Sequence, residues 1–203
     1  MLFNHQKTTV YNEKESEQVE NELEKNFGAI TKIYHEIVSD DVHIDIAEVA
    51  ETENMPFQKL FTIGMGAKKM RVPAGISKKE FERAELALFL AHPVNGDWPF
   101  TMLKTIARMP FRQNTWIGHG HTIDLGEEIA EGHAFRGALL LSLHGNGSGL
   151  KLTGGKKINY YLVIPIYPKE MQYAQLHGTD ALLDRFDEHG ITPVFDVNRK
   201  SCC

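Results

Sequence analysis

The side chains best placed to do chemistry in this chain are His119, His121 and His133, with Asp124 or Glu127 between them. A His-x-His pair on a strand sends both rings out of one face. A third ligand from a neighbouring strand would leave the open fourth position that a catalytic zinc needs. The spacing argues against that reading. The pair is similar to the start of the cupin motif, but the downstream Glu spacing and the upstream Gly do not match it. Metal ligands also normally come with orienting partners, for which the sequence has no clear candidates. Ten histidines make accidental clustering easy. The plainer expectation is that His121 hydrogen-bonds a strand end and His119 sits at the surface. No metal is expected, and His119, His121 and His133 stand as the weak alternative.

Other catalytic sets are absent. The only cysteines are Cys202 and Cys203, and no Gly-x-Ser-x-Gly elbow occurs. Ser142 and Ser148 lie near His144 only in sequence. The stretch Gly145–Gly155 lacks the Lys-Ser/Thr ending of a phosphate-binding loop and reads as a hairpin connection. Glu82 with Glu85, and Asp184 with Asp187 and Glu188, can be paired on paper, but a solvated face explains both sets. No catalytic residue and no cofactor is expected. Large side chains near turns, Trp98, Phe111, Trp116 and Tyr167, can anchor a partner, although aromatic residues usually serve the core.

The elements that position these groups follow from periodicity. In Asp97–Asp124, Pro99 suits the first turn of a helix. Phe100, Leu103, Ile106 and Ala107 share one face, and Thr101, Lys104, Thr105 and Arg108 share the other. Pro110 is expected to stop this helix, after which the chain re-extends through Asn114–Ile117 into the Gly118–His121 turn. An earlier helix spans roughly Glu15–Asn26, with Val19, Leu23 and Phe27 inward and Gly28 at its end. Its other face carries Glu15, Glu17, Glu20, Glu22 and Glu24, solvated or partner-facing.

A β-rich block follows. Ala29–Val38 is one strand. Val42, Ile44 and Ile46 alternate with polar neighbours as a half-buried strand does, and Phe57–Met65 is a third, where Gly64 and Gly66 suggest a bend or a close approach. Ser77 and Glu80 resemble a capping box before a strand in which Ala84, Leu86, Leu88 and Leu90 alternate with Arg83, Glu85, Ala87 and Phe89. Further strands are expected at Ala134–Leu143, Lys157–Tyr167 and Pro193–Val197. Two more helices are expected, one opened by Pro168 and one capped by Thr179 and closed by Gly190. His144–Gly149 reads as a surface turn. Strands and helices come in blocks, so the expected class is α+β: a single domain with a mixed or antiparallel sheet packed with several helices.

At 203 residues, 42 % hydrophobic and 24 % charged, one soluble core is the default. No apolar run approaches the ~20 residues that span a bilayer. The N-terminus has no signal-type apolar core. The two cysteines are adjacent and make a poor staple, so a reducing cytoplasm is the simplest location. A lipidated Cys202-Cys203 end is an alternative to an unimportant tail. The net charge of −5 argues mildly against nucleic acid and is compatible with a basic protein partner.

Six strings in order over about 150 residues carry a resemblance. They are VHIDIAEV (Val42–Val49), FTIGMG (Phe61–Gly66), ERAELALFL (Glu82–Leu90), DWPFTMLKTIARM leading to GHTI (Gly120–Ile123), INYYLVIPIYPKEM (Ile158–Met171) and HGTDALLDRF (His177–Phe186). Together they resemble the suppressor of fused-like domain family, whose fold is α+β. On that resemblance residues 29–198 form the domain, 1–28 add a helix to it, and 199–203 are a tail.

The resemblance implies a binding module with no known catalysis. Animal members sequester a transcription factor of the hedgehog pathway. A chain this short resembles bacterial members, which serve in polymorphic toxin systems as immunity proteins that bind a cognate toxin, often a nuclease. The animal protein grips its partner with a Tyr and an Asp; the matching positions here are Met109 and Gly120, so those contacts do not transfer. The candidate partner-binding residues are Met109, Phe111, Trp116, His119 and His121 on the turn, and Glu17, Glu20 and Glu24 on the acidic helix. The reading favoured is a cytoplasmic immunity protein. A general interaction adaptor is the alternative, and a metal-dependent enzyme the weaker one.

Overall fold

A ten-residue, mostly apolar strand, Lys157–Ile166, forms the axis on which the rest of the chain is assembled. The computed structural model describes residues 8–39, 41–143 and 149–203. Among them the elements run α1 (Glu13–Phe27), β1 (Ile30–Tyr34), β2 (Asp45–Val49), β3 (Gln58–Ile63), a 3-10 turn at Met65–Ala67, α2 (Lys78–Phe81) and β4 (Ala84–Leu90). They continue with α3 (Trp98–Arg112), β5 (Thr122–Asp124), β6 (Gly137–Ser142), β7 (Leu150–Lys151), β8 (Lys157–Ile166), α4 (Pro168–His177) and α5 (Thr179–Glu188). The surface turn expected at His144–Gly149 falls almost wholly outside the described residues.

The strands make one sheet in the order β1-β2-β3-β4-β8-β6-β5, with β7 paired to β8. Every pairing is antiparallel except β4 with β8. The expected α+β class with a mixed sheet is the one observed. Side chains alternate across this sheet, and β8 divides cleanly between two cores. Ile158, Tyr160, Leu162, Ile164 and Ile166 join the core under α1, α4 and α5, while Tyr161 and Val163 join the one under α3.

Helix α1 packs through Val19, Leu23 and Phe27, and the Asn12 side chain accepts the Glu15 N–H at 3.0 Å as its N-cap. Burying three such side chains contributes about 1.5–3 kcal/mol each. Glu15 differs from expectation. It lies on the same stripe as Val19, is buried, and pairs with Lys156, so the acidic face consists of its neighbours only.

Several boundaries also differ. Pro110 does not stop α3, which runs to Arg112. Pro110 is buried, its missing donor costs one rung, and Gln113 N–H still reaches Met109 O at 2.9 Å. Ser77 makes no capping hydrogen bond. Thr179 does not cap α5. Gly178 holds that position, and the Thr179 hydroxyl donates instead to Gly120 O at 2.9 Å. Pro193–Val197 forms no strand, only a parallel bridge between Phe195 and Leu90. The final residues are not frayed, because Cys202 is buried and Arg199 is held by Glu170.

Candidate functional site

A dense polar constellation in the interior surrounds Glu85, which is fully buried. Its carboxylate accepts from the Tyr11 hydroxyl at 2.7 Å, the Thr62 hydroxyl at 2.6 Å, and the N–H groups of Gly64 and Gly66 at 3.0 and 2.9 Å. Thr62 in turn accepts the Leu86 N–H at 2.8 Å. Desolvation pushes the Glu85 carboxyl up to about 6 even though these donors favour its charged form. Arg83 donates to the carbonyls of Gly66 and Ala67, both at 2.6 Å.

Glu85 was expected on a solvated face, and that expectation is corrected here. Both faces of β4 are covered, so alternation along it sorts residues between two cores rather than between core and water. Two of the six strings, FTIGMG and ERAELALFL, meet at this point. The glycines are required by it: a Cβ on Gly64 would lie 2.1 Å from His43 O, and one on Gly66 would lie 2.3 Å from the Tyr11 hydroxyl. A satisfied carboxylate closed to solvent positions backbone and offers nothing to a substrate. The signal was legible as a lone Glu inside an apolar run.

The histidine turn is built differently. Trp116 lies across Gly118, where a Cβ would sit 2.8 Å from the indole. Gly120 has φ +79, a conformation that favours glycine. Gly120 N–H donates to Leu140 O at 2.7 Å, and Leu140 N–H donates to His121 O at 3.0 Å, which locks the turn to β6. The His121 ring packs edge-on to Trp116 at 4.6 Å, and burial lowers its pKa by disfavouring the charged form. His119 is exposed, and its Nδ1 accepts the Ser142 N–H at 3.1 Å. His119 lies at the surface as expected, but it also makes the strand-end hydrogen bond expected of His121, which packs on Trp116 instead.

The trio does not assemble. His133 stands beside Phe135 and lines a cleft of about 600 Å³ with His92, Asp97, Trp98 and Asp196. Among the described residues no three His, Cys, Asp or Glu side chains converge in the way a metal ion requires. Asp124 pairs with Arg136 at 3.0 Å, and Glu127 is exposed.

Met109, Phe111 and Trp116 are half-buried against the α3 core, and Lys68 lies over the Phe111 ring at 5.4 Å. Glu17 and Glu24 are exposed and Glu20 half-buried on α1. Desolvation, and after it the neighbouring carboxylates of Glu24 and Glu17, raise the Glu20 pKa. Since α1 covers one face of the sheet and α3 the other, the structure separates the two sets of candidate contacts. The turn set adjoins β5, which among the described residues has β6 alone beside it in the sheet. No helix among the described residues is long and apolar enough to cross a membrane.

Known proteins share this architecture. A homolog of suppressor of fused protein from Neisseria gonorrhoeae FA 1090 superposes with a TM-score of 0.69 at 18 % identity, over 95 % of this chain and 98 % of that one. A chain of the Sufu-Fu complex superposes at 0.66 and 14 % identity, over 97 % and 93 %. Drosophila Suppressor of Fused gives 0.58 at 14 %, over 78 % of this chain and 42 % of its own length. In sequence, the uncharacterized protein UU111 of Ureaplasma parvum serovar 3 is 26 % identical over 202 residues, which is 94 % of this chain and 96 % of that protein. The family model for suppressor of fused protein (SUFU) matches residues 40–200, and on that extent of match the chain belongs to the SUFU family.

Proposed function

We propose that this chain is a protein-binding module that acts by forming a stoichiometric complex and catalyses no reaction. The partner docks on the edge formed by β5 and the turn Trp116–His121. The observation that carries this reading is the open side of β5. His121 O accepts the Leu140 N–H of β6 while its own N–H turns back to Gly118 O, and Leu125 N–H donates to Arg136 O just before β6. By alternation Thr122 and Asp124 turn their backbone groups away from β6, beside a turn pre-ordered by Gly118 and Gly120. A preformed edge of this kind receives an extended segment of another chain at little entropic cost. A SUFU-related chain occurs in a complex with another protein, which supports a binding role for this chain too.

The finer reading is that the partner is a protein toxin, a nuclease in its commonest form, which the chain neutralises in the cytoplasm. Its supports are the resemblance to bacterial members, the bacterial relatives, and the net charge of −5, which suits a basic partner. Co-expression with the product of the adjacent gene tests it. The expected result is a co-purifying complex and rescue of growth. A complex without toxicity of the partner alone would favour a general adaptor, and the absence of any complex would remove the toxin reading.

A further inference from the structure

The residues at Cys202 and Cys203 are the chain's only thiols. Both are free, and their Sγ atoms stand 3.7 Å apart. Their surroundings are unequal. Cys202 is 4 % exposed and belongs to the core under α4 and α5. Its N–H donates to Glu170 at 3.1 Å, and its carbonyl accepts from Arg185 at 3.2 Å. Glu170 is itself clamped by the two terminal nitrogens of Arg199 at 2.7 and 2.6 Å. Cys203 is half-exposed, with its N–H on the Ser201 hydroxyl at 3.3 Å. A reachable thiol thus rests against a shielded one whose place is fixed by a buried ion pair.

We propose that Cys202 and Cys203 form a reversible redox site, oxidised by small-molecule disulfides of the glutathione type to a bond between the two adjacent sulfurs. Cys203 attacks first, because it alone is open to solvent. It forms a mixed disulfide and releases one thiol, which carries away the Cys203 proton. Cys202 then attacks the Cys203 sulfur and expels the second thiol, which takes the Cys202 proton. Two thiols on the chain become one disulfide, and one oxidant disulfide becomes two thiols. Burial and the neighbouring Glu170 hold the Cys202 thiol up at about 12, in keeping with a second, resolving role.

Covalent geometry makes the product a switch and not a staple. Adjacent Cα atoms are about 3.8 Å apart, below the roughly 4.4 Å minimum usual for a disulfide, so the closed ring is strained and readily reduced. Closing it draws the sulfurs from 3.7 Å to about 2 Å.

The test uses the full chain, reduced, freed of reductant and incubated with excess oxidised glutathione, and reads intact mass. The expected product has lost two hydrogens, carries no glutathione, has no disulfide link to a second chain, and reverts with dithiothreitol. Cys202→Ser is expected to stop at a glutathione adduct on Cys203. Cys203→Ser is expected to stay unmodified while folded and to react once urea exposes Cys202. An unmodified chain, a lasting adduct or a disulfide-linked dimer in the parent protein would overturn the proposal. If Cys202→Ser does not fold, the parent chain and Cys203→Ser decide the matter alone.

Discussion

The hydroxyl of Tyr11 donates to the carboxylate of Glu85 at 2.7 Å, across 74 positions of sequence. Tyr11 precedes the first helix and Glu85 lies in β4, so this bond ties the entry of the chain to the centre of the sheet. Glu85 has three further donors, from Thr62, Gly64 and Gly66. Replacing it by Ala would orphan all of them in the interior, at a cost of about 3 kcal/mol or more. Urea unfolding of Glu85→Ala against the parent measures this, and a loss below ~1 kcal/mol would show that the network is dispensable.

The same carboxyl sets a pH dependence. Burial holds it at about 6 against an ordinary 4.5, so the folded chain keeps the proton more tightly than the unfolded one. Its contribution to stability is complete below the ordinary value and is lost as pH rises through about 6, a change of about 2 kcal/mol. Glu85→Gln, which cannot titrate, is expected to have a flatter profile of unfolding free energy across that window. Parallel profiles for the two proteins would refute the assignment.

Gly64 has φ +123, and a Cβ there would meet His43 O at 2.1 Å. Backbone against backbone leaves no rotamer to move. Gly64→Ala is therefore expected to destabilise by about 2 kcal/mol or more, combining left-handed strain and overlap. Gly75→Ala, where nothing stands within 4 Å, carries the strain without the overlap. It should cost clearly less in the same denaturant titration.

Arg199 threads among Phe135, Tyr167 and Phe186, with its guanidinium 5.3, 5.1 and 5.3 Å from their ring centres, and pairs with buried Glu170. Removing it strands a carboxylate without a counter-charge. Arg199→Ala is expected to cost about 3–5 kcal/mol. Arg199→Lys should recover only a part, because a single ammonium cannot replace two parallel donors. Thermal unfolding ranks the three proteins, and a stable Ala variant would contradict the clamp.

If the partner docks at the β5 edge, Trp116→Ala and Thr122→Pro should each weaken the complex by at least about tenfold, as loss of an anchor and of an edge donor respectively. Glu17, Glu20 and Glu24 lie across the sheet from the turn. Their joint change to Gln should leave affinity within about a factor of two, as expected for charges outside the contact. Calorimetric titration with the partner separates the two faces. The reverse ranking would move the site to α1.

How much was legible is best seen in particular elements. Val19, Leu23 and Phe27 at helical spacing announced α1, and the long apolar run at Lys157 announced the central strand, because periodicity and length are properties of neighbouring residues. That His119 and not His121 makes the strand-end hydrogen bond was hidden, since it depends on where Ser142 and Trp116 arrive from elsewhere in the chain. Pro110 misled for a similar reason: a rule about one peptide unit was outweighed by burial of its ring and by the turn that follows.

By itself the sequence determined the class of fold, the main elements and, through six ordered strings, the family resemblance, all of which rest on local pattern and order. Only the tertiary structure decided that Glu85 is an internal brace, that the histidines do not converge, that Arg199 and Cys202 belong to the core, and that the acidic helix and the histidine turn face opposite ways. Burial and counter-charge are set by what packs from the far side of the sheet, and no stretch of neighbouring residues contains that information.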